Sequence, residues 1–203
     1  MTKQKSIEVD VSTEEKIKEA ARKIFTQKGY AATRTRDIAE ESGINLALLN
    51  YYFRSKEKLF QQIMAEKMQQ LFGVLLPIIN DANSDLLAKL ELITANYIDL
   101  LSANPDLPLF VLSEIRTNGS VFLNNFPVKK LLKDSIFVKQ IREQQPDISP
   151  LHFIMNLLGM IIFPFVGSPV FKGTDVVDDP AFAAMMHDRK RLIPIWINSI
   201  LKA

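Results

Sequence analysis

Apolar residues recur at helical spacing along almost the whole chain, and no stretch alternates as a half-buried strand would. The clearest case is Ile17, Ala20, Ala21, Ile24 and Phe25, which fall in one stripe along one face of a helix. Ser12 and Glu15 precede that stripe as a Ser-x-x-Glu capping pair, and Gly29 follows it as a natural stop. The expected fold class is therefore all-α.

The same signals divide the rest of the chain. A short helix is expected over 36–42, with Ile38 and Ala39 facing inward and Gly43 supplying the turn. Asn45 can cap a second short helix running to Phe53, and Ser55 a long one whose stripe includes Leu59, Phe60, Ile63, Met64, Met68, Leu71, Phe72 and Leu75. Pro77 should kink or end it. Further helices are expected over 85–102, 105–116, 127–143, 150–163 and 180–201, and four of these five open on a proline, which suits the first helical turn. Residues 117–126 read as a loop or a short helix, and 167–179 as the most loop-like stretch.

Composition narrows the class. With 203 residues and 47% apolar content the chain can bury a real core. No cysteine is present, which excludes disulfides, thiolate metal sites and a cysteine nucleophile, and suits a reducing compartment. The N-terminus has no apolar segment of the signal-peptide kind, and the apolar run 151–166 is short for a bilayer span, so a cytoplasmic location with no membrane partner is expected. Net charge is +2, but residues 1–60 hold 12 Lys/Arg against 9 Asp/Glu, so the positive excess sits at the N-terminal end. The two histidines and seven glycines offer no phosphate loop, and His187 beside Asp188 reads as wet surface. No catalytic residue, metal site or cofactor is expected, and the chain does not read as an enzyme.

Two short helices joined by a glycine turn make a helix-turn-helix, whose second helix can lie in the major groove of DNA. On a helical wheel Leu49 and Phe53 point inward toward Ile24, Phe25, Ile38 and Ala39. Ala47, Asn50, Tyr51 and Arg54 are then turned outward. Asn50 can make paired hydrogen bonds to an adenine edge and Ala47 can touch a thymine methyl, while tyrosine hydroxyls and Lys56 can hold phosphates. Taken alone, an amphipathic segment with Tyr51, Tyr52 and Phe53 would more often be core. The caps and the turn in register favour the DNA reading.

The segment 12–60 resembles the DNA-binding domain of the tetracycline-repressor (TetR/AcrR) family, through GYAAT (29–33), RDIA (36–39), SGI (42–44), LNYYF (49–53) and SKEKL (55–59). That resemblance implies a three-helix DNA-binding domain over 1–58 (core 12–58), followed by a larger helical effector-binding and dimerisation domain over 59–203. It implies that Thr35 and Arg36 approach DNA at the start of the second helix. It further implies that Asn45, Leu46, Ala47, Leu48, Asn50, Tyr51 and Tyr52 cover the recognition helix, and that Lys56 binds phosphate. The chain departs from the family pattern in three ways. Arg34 stands where a Ser or Thr usually caps, so Thr33 or Thr35 should cap instead or the cap is weaker. Leu46 and Leu48 stand where polar or small residues are common, and Asn50 where tyrosine is frequent.

The resemblance also implies a ligand-responsive repressor that binds a pseudo-palindromic double-stranded operator as a homodimer joined through its last two long helices. The 150–166 segment, apolar nearly all round, must be buried on most sides; partner and monomer core could each supply that burial. A small apolar or aromatic effector would fit a pocket in the body, with Tyr97, Phe110, Glu114, Phe122, Phe126, His152, Asn156 and Phe163 as candidate lining. His152 and Asn156 share one helix face and could instead be satisfied core groups or hydrogen bonds across an interface. Two other readings stand beside this one: a DNA binder without a small-molecule effector, and a helical enzyme or carrier whose helix-turn-helix is incidental.

Overall fold

The computed structural model describes the backbone of residues 2–113, 115–116, 128–174 and 176–202, and within these the side chains other than those of residues 2–12 and 26. Every regular element among the described residues is a helix. The chain divides into two compact units, Met1–Met68 and Gln69–Ala203.

The first unit holds α1 (Thr2–Ala32), α2 (Thr35–Ser42), α3 (Leu46–Phe53) and the start of α4 (Lys56–Asn80). The backbone is helical from Thr2, so Ser12 lies inside α1 and not at its start. Gly29 breaks α1 as expected of a stop, with φ 72° and ψ 163°, but a further turn follows it. The stripe from Ile17 to Phe25 is buried and meets Ile38 and Ala39 of α2, Leu49 and Phe53 of α3, and Leu59, Phe60, Ile63 and Met64 of α4 in one core. Phe25, Tyr30 and Phe60 form an aromatic cluster, with ring centroids 4.5–6.0 Å apart. On its polar flank Lys18 and Arg22 of α1 both reach Glu66 of α4, at 3.0 and 2.8 Å.

The second unit holds the remainder of α4, a helical stretch over 107–113, and α5 (Leu86–Ala103), α6 (Val128–Asp134), α7 (Ile136–Gln144), α8 (Pro150–Lys172) and α9 (Asp179–Lys202). Three boundaries differ from the sequence reading. The helix expected over 127–143 is two helices, because Ser135 takes extended backbone and its hydroxyl caps α7 at Val138 N–H. Pro77 lies inside α4, which continues three residues beyond it to Asn80. The stretch expected to be loop from 167 is helical to Lys172.

Two prolines sit inside α8, and each leaves a carbonyl four residues earlier without its helical donor. The Met160 carbonyl, freed by Pro164, accepts from Arg189 Nη2 of α9 at 2.7 Å. The Phe165 carbonyl, freed by Pro169, accepts from the Ser168 hydroxyl at 2.9 Å. Side chains thus replace the missing N–H groups, and the helix continues through positions that would otherwise end it.

α8 is amphipathic in space though not in composition. Phe153, Ile154, Leu157, Ile161 and Phe165 are buried, but Leu151, Met155, Leu158 and Phe163 are exposed along another face, Met155 at 68% and Phe163 at 63%. The expectation of burial on most sides is not met within one chain; only a third of the apolar window of this helix is buried. By length and composition alone α8 is also able to cross a membrane. α9 likewise buries Phe182, Met186, Ile193, Ile197 and Leu201 and exposes Met185, Ile195, Trp196 and Ile200.

Candidate nucleic-acid interface

The turn between α2 and α3 is built from its caps. Gly43 takes left-handed backbone, φ 67° and ψ 19°, which brings Ile44 N–H onto the Ala39 carbonyl at 3.1 Å and closes α2. Asn45 then caps α3, its Oδ1 accepting from Leu48 N–H at 2.8 Å. The start of α2 is capped differently from either expectation. Arg34 is the capping residue, and its backbone N–H donates to Asp37 Oδ2 at 2.9 Å. A guanidinium has no acceptor, so only the Asp37 half of a capping box operates. Thr33 is occupied elsewhere, its hydroxyl donating to the Gly29 carbonyl at 2.7 Å.

With both ends fixed, the rotation of α3 follows. Leu49 is fully buried and Phe53 nearly so. Ala47, Leu48, Asn50 and Tyr51 are exposed, Tyr51 at 77%, while Leu46 and Tyr52 are intermediate. Arg36 and Asn45 are exposed and Thr35 is intermediate. The ten residues implied by the resemblance therefore all keep some accessible surface on α2, α3 and the start of α4. Asn45 has its carbonyl oxygen committed to the cap, leaving its amide N–H groups to donate outward.

Lys56 has a second set of partners that sequence reasoning missed. Its Nζ donates to the carbonyls of Tyr30 and Thr33, both at 2.8 Å, and lies 4.2 Å from the centroid of the Tyr30 ring. An ammonium has three donors, so one remains beyond these two bonds. Lys56 thus ties the end of α1 to the start of α4 and presents charge at the same point. No local pattern signals a contact to carbonyls more than twenty residues away.

Charge is distributed unevenly over this unit. Lys18 and Arg22 pair with Glu15 and Glu66, Lys23 with Glu41, and Lys28 with Asp37. Among the described residues Arg34, Arg36, Arg54 and Lys58, all exposed and all flanking α2 and α3, make no ion pair; Lys16 on α1 is a fifth. The local excess of unneutralised positive charge therefore lies around the recognition helix. Of these four, the sequence reading had named only Arg36 as approaching DNA.

The candidate effector residues do not share one environment. Tyr97 on α5 is desolvated enough to push its phenol up to about 12, and Phe110 is half-buried. His152, Asn156 and Phe163 lie on the exposed face of α8 and not in an interior. Glu114, Phe122 and Phe126 lie outside the described residues.

Residues 17–63 match the family model for bacterial regulatory proteins of the tetR family. Over 202 residues, 95% of each chain, the sequence is 24% identical to "Probable HTH-type transcriptional regulator YttP" of Bacillus subtilis. Over 75 residues, 37% of each chain, it is 32% identical to the HTH-type transcriptional repressor KstR2 of Mycolicibacterium smegmatis. The fold is similar to that of the transcriptional regulator FadR from Bacillus subtilis in complex with stearoyl-CoA. There the TM-score is 0.59 at 18% identity, covering 87% of this chain and 95% of that one. The helix-turn-helix and these matches together make residues 17–63 similar to the DNA-binding domain of the tetR family of bacterial regulatory proteins, in a chain whose relatives are transcriptional regulators and not enzymes.

Proposed function

We propose that the chain is a ligand-responsive repressor that binds a pseudo-palindromic operator as a homodimer. The observation that carries the DNA part is the rotation of α3: Leu49 and Phe53 are sealed in the core, so Ala47, Asn50 and Tyr51 face outward amid arginines that make no ion pair among the described residues. In this reading Ala47, Leu48, Asn50 and Tyr51 meet base edges. Thr35, Arg36, Asn45, Leu46, Tyr52 and the spare donor of Lys56 hold the flanking phosphates and sugars.

Dimerisation through α8 and α9 accounts for the exposed apolar faces of both helices. Leu151, Met155 and Leu158 recur at helical spacing, exposed Phe163 lies further round the helix, and Gly159 between Met155 and Phe163 has open space where a side chain would project. A second copy is the occupant that also places two recognition helices on half-sites about 34 Å apart. His152, Asn156 and Phe163 then belong to this interface. Such a pairing buries the apolar side of α8 in protein, consistent with a cytoplasmic location and no membrane partner.

The body, taken as 59–203 with residues 1–58 forming the DNA-binding domain, would hold a small apolar effector, with Tyr97 and Phe110 in its lining. The FadR relative was solved with stearoyl-CoA, which supports an apolar ligand class for this architecture. Because α4 is continuous from the first unit into the second, effector binding that shifts α4 would change the spacing of the recognition helices and lower operator affinity.

The test is a titration of an inverted-repeat duplex from the gene's own upstream region. Tyr51→Ala and Asn50→Ala should each weaken binding about tenfold or more, at one to three kcal/mol per base contact, with dimer mass unchanged. Unchanged affinity in both variants rules out the assigned DNA surface.

A further inference from the structure

The link between α3 and α4 contains a non-glycine residue of positive φ, the only one among the described residues. Arg54 has φ 61° and ψ −38°. The ψ value lies well outside the left-handed helical region, near ψ +47°, that Asn or Asp tolerate. Ser55 N–H donates to the Phe53 carbonyl at 2.6 Å, which closes a three-residue γ-turn centred on Arg54. This hand of γ-turn is rare and strained for any residue with a Cβ, and glycine would relieve it.

A bulky side chain kept in such a turn implies that the side chain is worth more than a relaxed backbone. Arg54 is exposed and makes no ion pair among the described residues. Its position continues the outward stripe of Ala47, Asn50 and Tyr51 by one more turn. Its own N–H caps α3 on the Asn50 carbonyl at 2.9 Å, which fixes the Cα at the end of the recognition helix. Lys58, four residues on, is exposed and likewise makes no ion pair among the described residues. A guanidinium so placed is a planar donor fork facing outward, the shape that matches two oxygens of one phosphate.

We infer that Arg54 is a phosphate-contacting residue of the DNA interface, retained against the backbone preference for glycine so that a guanidinium stands at the end of the recognition helix. The inference rests on the reading of α3 as that helix. It predicts that stability and affinity move in opposite directions, which a merely structural residue does not do.

The experiment uses the full chain and compares wild type, Arg54→Gly, Arg54→Ala and Arg54→Lys, with Tyr51→Ala as control. Thermal melts are read beside titrations of the inverted-repeat duplex at several salt concentrations. Arg54→Gly should melt above Arg54→Ala and no lower than wild type, because only glycine releases the strain. Both variants should bind several-fold more weakly, with the salt slope of the dimer smaller by about 2, close to 0.9 for each lost phosphate contact in two subunits. Arg54→Lys should recover most of the salt slope. Three results overturn the inference. One is wild-type affinity and slope in Arg54→Gly while Tyr51→Ala is weakened. Another is a lowered melting temperature in Arg54→Gly with no change in slope, which would make the cation a partner of α3's own C-terminus. A third is a wild-type chain with no salt-dependent binding, which removes the underlying DNA reading as well.

Discussion

Lys56 illustrates how one side chain serves two levels of structure. Its ammonium answers two carbonyls at the end of α1, groups that a helix terminus leaves without internal donors. Lys56→Ala should therefore lower both stability and operator affinity. Charged hydrogen bonds of this kind contribute about 1.5–3 kcal/mol, so the melting temperature should fall by several degrees, whereas Tyr51→Ala should leave it within about a degree. Equal melting temperatures for the two variants would show the carbonyl contacts to be idle. The carboxylates Asp37 and Glu15 set a pH dependence. The Arg34 backbone N–H, with Lys28 beside it, holds the Asp37 carboxyl below its ordinary range, and the hydrogen bond from Arg22 does the same for Glu15. Depressed folded values mean that the unfolded chain takes up protons first. Both groups thus stabilise the fold above about pH 4 and lose that contribution as pH falls through their folded values. Melts between about pH 6 and about pH 3 should show the decline, and Asp37→Asn should flatten part of it.

At the scale of helices, the prolines of α8 give the sharpest test. Arg189 supplies the donor that Pro164 withholds from the Met160 carbonyl. Arg189→Ala should destabilise the second unit by about 1–3 kcal/mol, the range for leaving a polar group unpaired. Pro164→Ala restores a backbone donor, so Arg189→Ala in that background should cost markedly less. Additive effects in a double-mutant cycle would contradict the account. The same helix shows what was legible in the sequence. The stripe from Ile17 to Phe25, the Gly43 turn and the Asn45 cap are local patterns, and each stands in the structure where those residues predict it. The continuation of α8 past two prolines was not legible, because the compensating donor for one of them comes from α9. Arg34 misled for a related reason. Its backbone N–H is held by the Asp37 side chain three residues ahead, so the helix starts there although the acceptor a Ser or Thr hydroxyl would supply is missing. The split at Ser135 was hidden because apolar spacing continues across it.

At the scale of the whole molecule, the account depends on a second copy covering the exposed faces of α8 and α9. Met155→Glu combined with Phe163→Glu should leave the monomer folded, since both side chains are largely exposed within one chain. It should weaken association by at least about a hundredfold, as burying two unpaired carboxylates in an apolar interface costs several kcal/mol. Sedimentation equilibrium reads this directly, and a dimer of unchanged strength would place the partner surface elsewhere. The candidate interface in the first unit was largely written in the sequence, because inward and outward positions of a short helix follow from its period. The effector site was not, because its lining is drawn from elements far apart in the chain, and three of its candidates turned out to lie on an outer face.

The most direct test of the central claim, that α3 presents Asn50 and Tyr51 to a DNA groove, is the salt dependence of binding to the upstream inverted repeat, measured for wild type and Tyr51→Ala. Wild type should bind with an affinity that falls steeply and log-linearly with salt, and the variant should bind more weakly at every concentration. A wild-type chain that ignores the duplex even at low ionic strength, or a variant that matches it throughout, contradicts the claim.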